Sequence, residues 1–166
     1  FSFGGTLISN GDIGYQGNVT PKNYTGNNHG SIICVKGQWY VFYHRHTNRH
    51  QYSRQACAEK LALLGNGRFA QAEMTSCGLN KSALRGTGRY SASIVCSLFV
   101  KNGAMCYGVS DTPEAMEHPY LTQSGTDREN NPEQYIANMR DGASAVFKYF
   151  DVHSISGLGL LLSGAG

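Results

Sequence analysis

The sequence predicts an all-β protein, and three observations carry that prediction. Residues 31–35 and 39–44 are apolar, β-branched and aromatic, and Lys36-Gly37 can turn the chain between them, which is the pattern of a β-hairpin. Twenty-one glycines and ten tyrosines favour strands joined by tight turns. Residues 143–150 alternate, with Ala143, Ala145, Phe147 and Tyr149 on one side and Ser144, Val146, Lys148 and Phe150 on the other. That is a half-buried antiparallel pattern.

The elements follow in order. Residues 3–9 form a short apolar strand. Residues 10–28, rich in Gly and Asn, form a long exposed loop of the kind that lines binding sites. In the second hairpin strand Trp39, Val41 and Tyr43 share one face, and Tyr40, Phe42 and His44 the other. Bulk on both faces predicts that both are covered, as in a propeller blade stacked between neighbours. Residues 47–52 are polar and predict a loop. Residues 54–63 read as a third strand, with a helix or bulge over 57–64 as the competing reading, because Ala, Glu, Lys and Leu favour helix. Gly65-Asn66-Gly67 turns the chain into a fourth strand at 69–74, which completes one blade.

Two more strands are expected at 91–100 and 104–109. Residues 111–118, with Pro113 among acidic residues, predict a short helical turn or linker. A domain boundary is placed there, giving units 1–116 and 117–166. Strands at 135–140, 143–150 and 158–162 follow. No internal repeat is visible, so periodicity adds nothing to a propeller reading.

Composition narrows the function. Charged residues make up 15%, against about 25% for a typical globular protein. The net charge of +3 is scattered, which argues against nucleic acid. Nothing apolar is long enough to span a bilayer, so no membrane partner is expected. Aromatic-rich, low-charge β proteins suit neutral ligands such as sugars. There is no initiator Met and no signal peptide, and both ends read as cut from a longer protein. The five cysteines, Cys34, Cys57, Cys77, Cys96 and Cys106, form no Cys-x-x-Cys pair. Buried thiols are expected, with a Cys96–Cys106 bridge as the alternative. Retained thiols suit a reducing or anaerobic habitat.

Several residues carry chemistry with an ordinary reading beside it. His44, His46 and His50 are spaced so that 44 and 46 share a strand face and can hold a transition metal, but an exposed polar loop is the simpler expectation. Asn18-Val19-Thr20 and Asn23-Tyr24-Thr25 are glycosylation sequons. Trp39, Tyr40, Phe42 and Tyr43 can stack on sugar rings, though a hairpin packed on both sides makes them core. Asp12 is expected in an Asx-turn, Glu59 exposed or paired near Lys60, and Glu73 near the last blade strand.

Asn27-Asn28-His29-Gly30-Ser31-Ile32, followed by Gly37-Gln38-Trp39-Tyr40-Val41-Phe42-Tyr43-His44-Arg45, resembles the fifth blade of glycoside hydrolase family 43. Ser53-Arg54-Gln55 resembles the Arg-Gln element that follows that hairpin in the family. The resemblance covers residues 3–80. It implies a five-bladed β-propeller that removes arabinofuranose or xylose from plant cell-wall polysaccharides such as arabinoxylan. It places His29 on the propeller axis, near the sugar and near a calcium ion commonly held through water. It places Arg54 and Gln55 in the sugar pocket, with Arg54 donating to sugar hydroxyls. A guanidinium offers five fixed donors for that task. Without the resemblance, His29 beside Gly30 reads as a turn residue. Residues 141–152 resemble a strand of family 6-type carbohydrate-binding modules, which are β-sandwiches.

The implied chain is therefore the terminal part of a five-bladed β-propeller followed by a partial β-sandwich. Inverting hydrolysis needs an acid and a base, two carboxyl groups roughly 6.5–9.5 Å apart. The family takes its carboxylates from earlier blades, so no catalytic residue is assigned here and the chain alone is expected to be inactive. Its sheet edges need cover from a preceding segment or an oligomer partner. The intact protein is expected to be secreted or on the cell surface, with the cytoplasm as the alternative. A non-catalytic carbohydrate-binding protein is the second functional reading, and a β-rich adhesin domain the third.

Overall fold

The computed structural model describes residues 2–105, 113–125 and 133–164. The hairpin forms where the pattern places it. Strand β1 (Ser31–Val35) pairs antiparallel with β2 (Gln38–Thr47), from Val35 opposite Gln38 to Ser31 opposite Phe42. Lys36 and Gly37 both take positive φ, the conformation that tight two-residue hairpin turns require. Strand β3 (His50–Leu61) pairs with the other edge of β2, so the sheet runs β1-β2-β3.

Two expectations change here. The helix considered for residues 57–64 does not form: Cys57 pairs with Tyr43 and Leu61 with Trp39 as strand residues. Cross-strand packing outweighs a weak local preference. The loop expected at 47–52 shrinks to Asn48-Arg49, both at positive φ. Thr47 and Ser53 exchange a 2.7 Å hydroxyl hydrogen bond across the strands, so these polar residues are satisfied within the sheet.

The sheet buries one face. Trp39, Val41, Tyr43 and Arg45 of β2 alternate inward with Gln55, Cys57, Glu59 and Leu61 of β3. Val41, Leu61 and Ala72 form a core with Leu7, Ile8, Trp39 and Phe69, and Trp39 meets Phe69 edge-on at 5.3 Å. The opposite face is open along β1 and at Phe42, while His44 and His46 at its far end are buried. Ile33, Val35 and Phe42 are 48%, 46% and 38% exposed, and every residue of β1 is exposed. The expectation that both faces are covered thus holds for one face only among the described residues. The fourth blade strand is reduced to one bridge between Leu63 and Phe69. Residues 3–9 form no strand, although Ala72 N–H donates to the Leu7 carbonyl at 2.8 Å.

The remaining elements are short. They are β4 (Leu84–Arg85), β5 (Ser97–Phe99), α1 (Pro113–Glu117), β6 (Tyr120–Gln123), β7 (Gln134–Ala137), β8 (Ser144–Val146) and β9 (Phe150–Asp151). The strand expected over 91–100 splits into a 3₁₀ turn, Ala92–Ile94, and β5. Ser91 caps that turn by accepting from the Ser93 N–H. Residues 158–162 form no strand, and their leucines are 74–87% exposed. The strand expected at 104–109 lies mostly outside the described residues. The described residues are mostly strands with few helices, in keeping with an all-β class. None of their helices is long and apolar enough to cross a membrane.

A second core joins Tyr24, Val95, Leu98, Met105, Ala115 and Leu121. The boundary expected after residue 116 falls inside α1, and pairing crosses it: β5 with β8 antiparallel, and β4 with β9 parallel. The stretches on either side share this core. The 10–28 loop also differs from expectation, because Asn10, Asp12, Asn23 and Tyr24 are buried. Tyr24 O–H donates to the Pro119 carbonyl at 2.7 Å, and Asn23 Nδ2 donates to the Cys96 carbonyl at 2.9 Å. Polar side chains let an irregular segment be buried by taking up backbone groups that would otherwise be orphaned.

Arg45 links the sheet to the second core. Its side chain is buried, with Nε donating to Gln55 Oε1 at 2.7 Å, Nη2 to the Ser93 carbonyl at 2.6 Å, and Nη1 to the Val95 carbonyl. Replacing Arg45→Met leaves the Val95 carbonyl buried without its donor and the Ser93 carbonyl with Gln55 Nε2 alone. The expected cost is on the order of 3 kcal/mol or more, read as a lower denaturant midpoint. Gln55→Leu, which removes one acceptor and one donor, should cost about half as much.

Candidate functional site

The alternation of β2 that turns Arg45 inward turns His44 and His46 to the other side, and the register sets Arg54 opposite His46. The segment before β1 adds a fourth member. Asn28 Oδ1 accepts from the His44 N–H at 3.4 Å, and Asn28 Nδ2 donates to Asn10 Oδ1 at 3.2 Å. Gly30 lies so close to β2 that a Cβ there would overlap the Phe42 carbonyl oxygen. That approach brings the His29 ring to 4.6 Å from the His44 ring. His46 meets His44 edge-on at 5.6 Å.

His29, His44, His46 and Arg54 thus form one cluster at the end of the open face. His44 and His46 are buried, while His29 and Arg54 are exposed. The exposed histidine loop expected from the spacing is therefore corrected for these two: β2 continues past residue 44 and takes both in. Burial first, then Arg54 and His29, lowers the proton affinity of His44. Burial, His44, Arg54 and His29 do the same for His46. Both shifts favour the neutral ring.

The cluster is not a metal centre by itself. Among the described residues no group of three His, Cys, Asp or Glu side chains can hold a metal ion. Calcium takes about six to eight oxygen ligands, whereas the rings and guanidinium around His29 offer nitrogen. A calcium ion here, as the resemblance implies, would be held through water oxygens.

Gln55 lies elsewhere. It follows Arg54 in β3 and so faces the buried side. Its Oε1 accepts from Arg45, and its Nε2 donates to the Ser93 carbonyl at 3.1 Å. A cavity of about 10 Å³ beside it, lined also by Thr47, Ser93, Thr122 and Gln134, has room for about one water and none for a sugar ring. Of the three residues implied to touch sugar, the structure brings His29 and Arg54 together and gives Gln55 a place in the clasp around Arg45.

A second cluster gathers the carboxylates. Asp12 Oδ1 accepts from the Met74 N–H at 2.7 Å, and Oδ2 pairs with Lys148 Nζ at 3.3 Å. Glu73 Oε1 pairs with the same Nζ at 2.8 Å, and Oε2 accepts from Tyr149 O–H at 2.7 Å. Glu59, expected near Lys60, is instead buried on the opposite face. It accepts from Thr75 N–H at 2.6 Å and Thr75 Oγ1 at 2.7 Å. Burial pushes its carboxyl up to about 7, with Asp12 and Glu73 adding to the shift and the Thr75 hydrogen bonds opposing it. Lys148 is driven above its ordinary range: burial disfavours its charge, but Glu73 and Asp12 outweigh that. Sequence reasoning missed this cluster, since no local pattern ties residues 12, 59, 73 and 148.

The sequons are occupied by internal bonds. Asn18 Nδ2 donates to the carbonyls of Gly11, Asp12 and Thr20, and Asn23 is buried. Cys34, Cys57, Cys77 and Cys96 carry free thiols. Cys106, the alternative partner of Cys96, lies outside the described residues.

The comparisons with known proteins give one clear relationship. The chain is 42% identical over 167 residues to a "Xylosidase/arabinosidase" of Thermoclostridium stercorarium. This chain is similar to part of a glycosidase. The match takes in 99% of the chain but 35% of the relative, so the chain spans about a third of that protein's length. No family model matches the chain. No solved structure matches it.

The raised Glu59 carboxyl has a pH signature. Its proton is held more tightly in the fold than in the unfolded chain, so its contribution to stability is complete at acid pH and is lost as pH rises through about 7. Denaturant unfolding should show stability falling by on the order of 2 kcal/mol between about pH 5 and pH 8. Glu59→Gln, which keeps an acceptor for Thr75, should flatten that slope, and an unchanged slope in the variant would remove Glu59 as its source.

Proposed function

We propose that this chain is part of a glycosidase that releases xylose or arabinofuranose from a plant polysaccharide such as arabinoxylan, with inversion at the anomeric carbon. The observation that carries the reading is the 42% identity to a xylosidase/arabinosidase along nearly the whole chain. The open sheet face supports it. An exposed arginine in the cluster with His29 is suited to donate to sugar hydroxyls, and Phe42, two residues before His44 on the same face, offers an apolar surface for a sugar ring. In this reading the hairpin sheet belongs to the last blade of a propeller. The intact protein works outside the cell or at its surface. A further segment of the longer protein covers the exposed edge of β1.

The acid and base come from outside this chain. Inversion needs one carboxylate free to activate water and one carboxylic acid facing the leaving oxygen. Here Asp12 and Glu73 are both paired with Lys148, and Glu59 is buried against Thr75. The same engagement favours a second reading, a sugar-binding protein without catalysis, and one assay separates the two. The longer protein should cleave p-nitrophenyl β-D-xyloside or α-L-arabinofuranoside, and this chain alone should not. Arg54→Ala in the longer protein should lower kcat/KM about 100-fold, the loss of roughly 3 kcal/mol of transition-state binding. A longer protein that binds xylo-oligosaccharides but cleaves neither substrate would favour the second reading. Hydrolysis by this chain alone would overturn the assignment of acid and base.

A further inference from the structure

The cluster at the end of the open face has more donors than acceptors. Arg54 carries a permanent positive charge, and among the described residues no carboxylate pairs with it: the acidic groups with ion-pair partners serve Lys148 and His153. His44 is 9% exposed, and its Nε2 has no hydrogen-bond partner among the described residues. A buried polar nitrogen is rarely left so in a native interior. Ala56 faces His44 in the register and Arg54 lies two residues along on the same side, so the orphaned nitrogen belongs to the same cluster as Arg54. The guanidinium fork matches a planar two-oxygen acceptor, and a neutral imidazole N–H beside it supplies a further donor. One permanent cation calls for a monoanion rather than a dianion.

We propose that Arg54 and His44 form a carboxylate-binding site at the end of this sheet face. The carboxylate has two possible sources with the same chemistry: an acidic sugar, such as a uronic acid substituent on the polysaccharide, or an acidic side chain from another segment of the longer protein. The site deepens the glycosidase reading by naming an acidic group at the face assigned to sugar, but it does not depend on hydrolysis.

The test observes the histidine rings directly. The protein, labelled with ¹⁵N in histidine only, is titrated at constant pH and ionic strength with sodium acetate, sodium D-glucuronate, D-xylose and sodium chloride. The His44 ring signals should move saturably with acetate and glucuronate, with Kd in the millimolar range, and stay still with xylose and chloride. Arg54→Gln should weaken that binding at least tenfold and Arg54→Lys by less, because lysine keeps the charge and loses the fork. Arg54 is exposed, so both variants are expected to fold, and exposed Arg85→Gln serves as the control that leaves binding unchanged. Tighter binding of glucuronate than acetate supports the acidic sugar as the source. Equal binding supports recognition of the carboxylate group alone, as an acidic side chain would supply it. No saturable shift with either carboxylate, an equal shift with chloride, or unchanged binding by Arg54→Gln would overturn the proposal. Xyloside hydrolysis by the longer protein without carboxylate binding here would remove this site and leave the glycosidase reading standing. Carboxylate binding without hydrolysis would do the reverse.

Discussion

Arg45 brings a full positive charge into the interior of the sheet, where three carbonyl oxygens, from Gln55, Ser93 and Val95, meet it in place of a carboxylate. A buried charge is costly unless its hydrogen bonds are complete, so the clasp fixes how the hairpin sheet sits against the turn at residues 92–94. It also fixes which way β2 faces. Once Arg45 points inward, its neighbours His44 and His46 must point to the other side, and the register then sets Arg54 beside them. The cluster that carries the functional proposal is thus positioned by a residue outside it. Gln55 connects the two sides. It orients Arg45 on the buried face while its chain neighbour Arg54 lies on the open one.

The two ionisable clusters occupy opposite sides of the same strands. Glu59 shares the inward face with Arg45, near Asp12, Glu73 and Lys148, and that group is closed by internal ion pairs and hydrogen bonds. Its chemistry is cohesive: it joins the loop at residues 10–12, the stretch at 73–76 and the segment at 148–149. The histidine and arginine cluster differs: among the described residues Arg54 forms no ion pair.

How much of this was legible in the sequence depends on the range of the interaction. The hairpin was readable because alternation and the Lys36-Gly37 turn are local, and so was α1 around Pro113. Cover on the second face of β2 was over-read: aromatic bulk on Tyr40 and Phe42 does not by itself bury them, and Phe42 is exposed. The burial of the 10–28 loop was hidden, because Asn23 and Tyr24 look like ordinary loop residues until their partners at Cys96 and Pro119 are known. The resemblance marked His29 and Arg54, which the structure brings to one place. It grouped Gln55 with them, although alternation along a strand sends adjacent residues to opposite faces.

The pairing of β5 with β8 and of β4 with β9 bears on the order of events during synthesis. The hairpin, β3 and the partners of Arg45 all lie within the first 95 residues, so the sheet and its clasp can assemble while the rest of the chain is still being made. Leu84 waits for Phe150, and Ser97 waits for Val146. Closing such distant pairs is slow compared with forming a hairpin. Until residue 151 has emerged, the segment from 84 to 99 has no strand to join, and its apolar side chains stay accessible to chaperones and to other nascent chains.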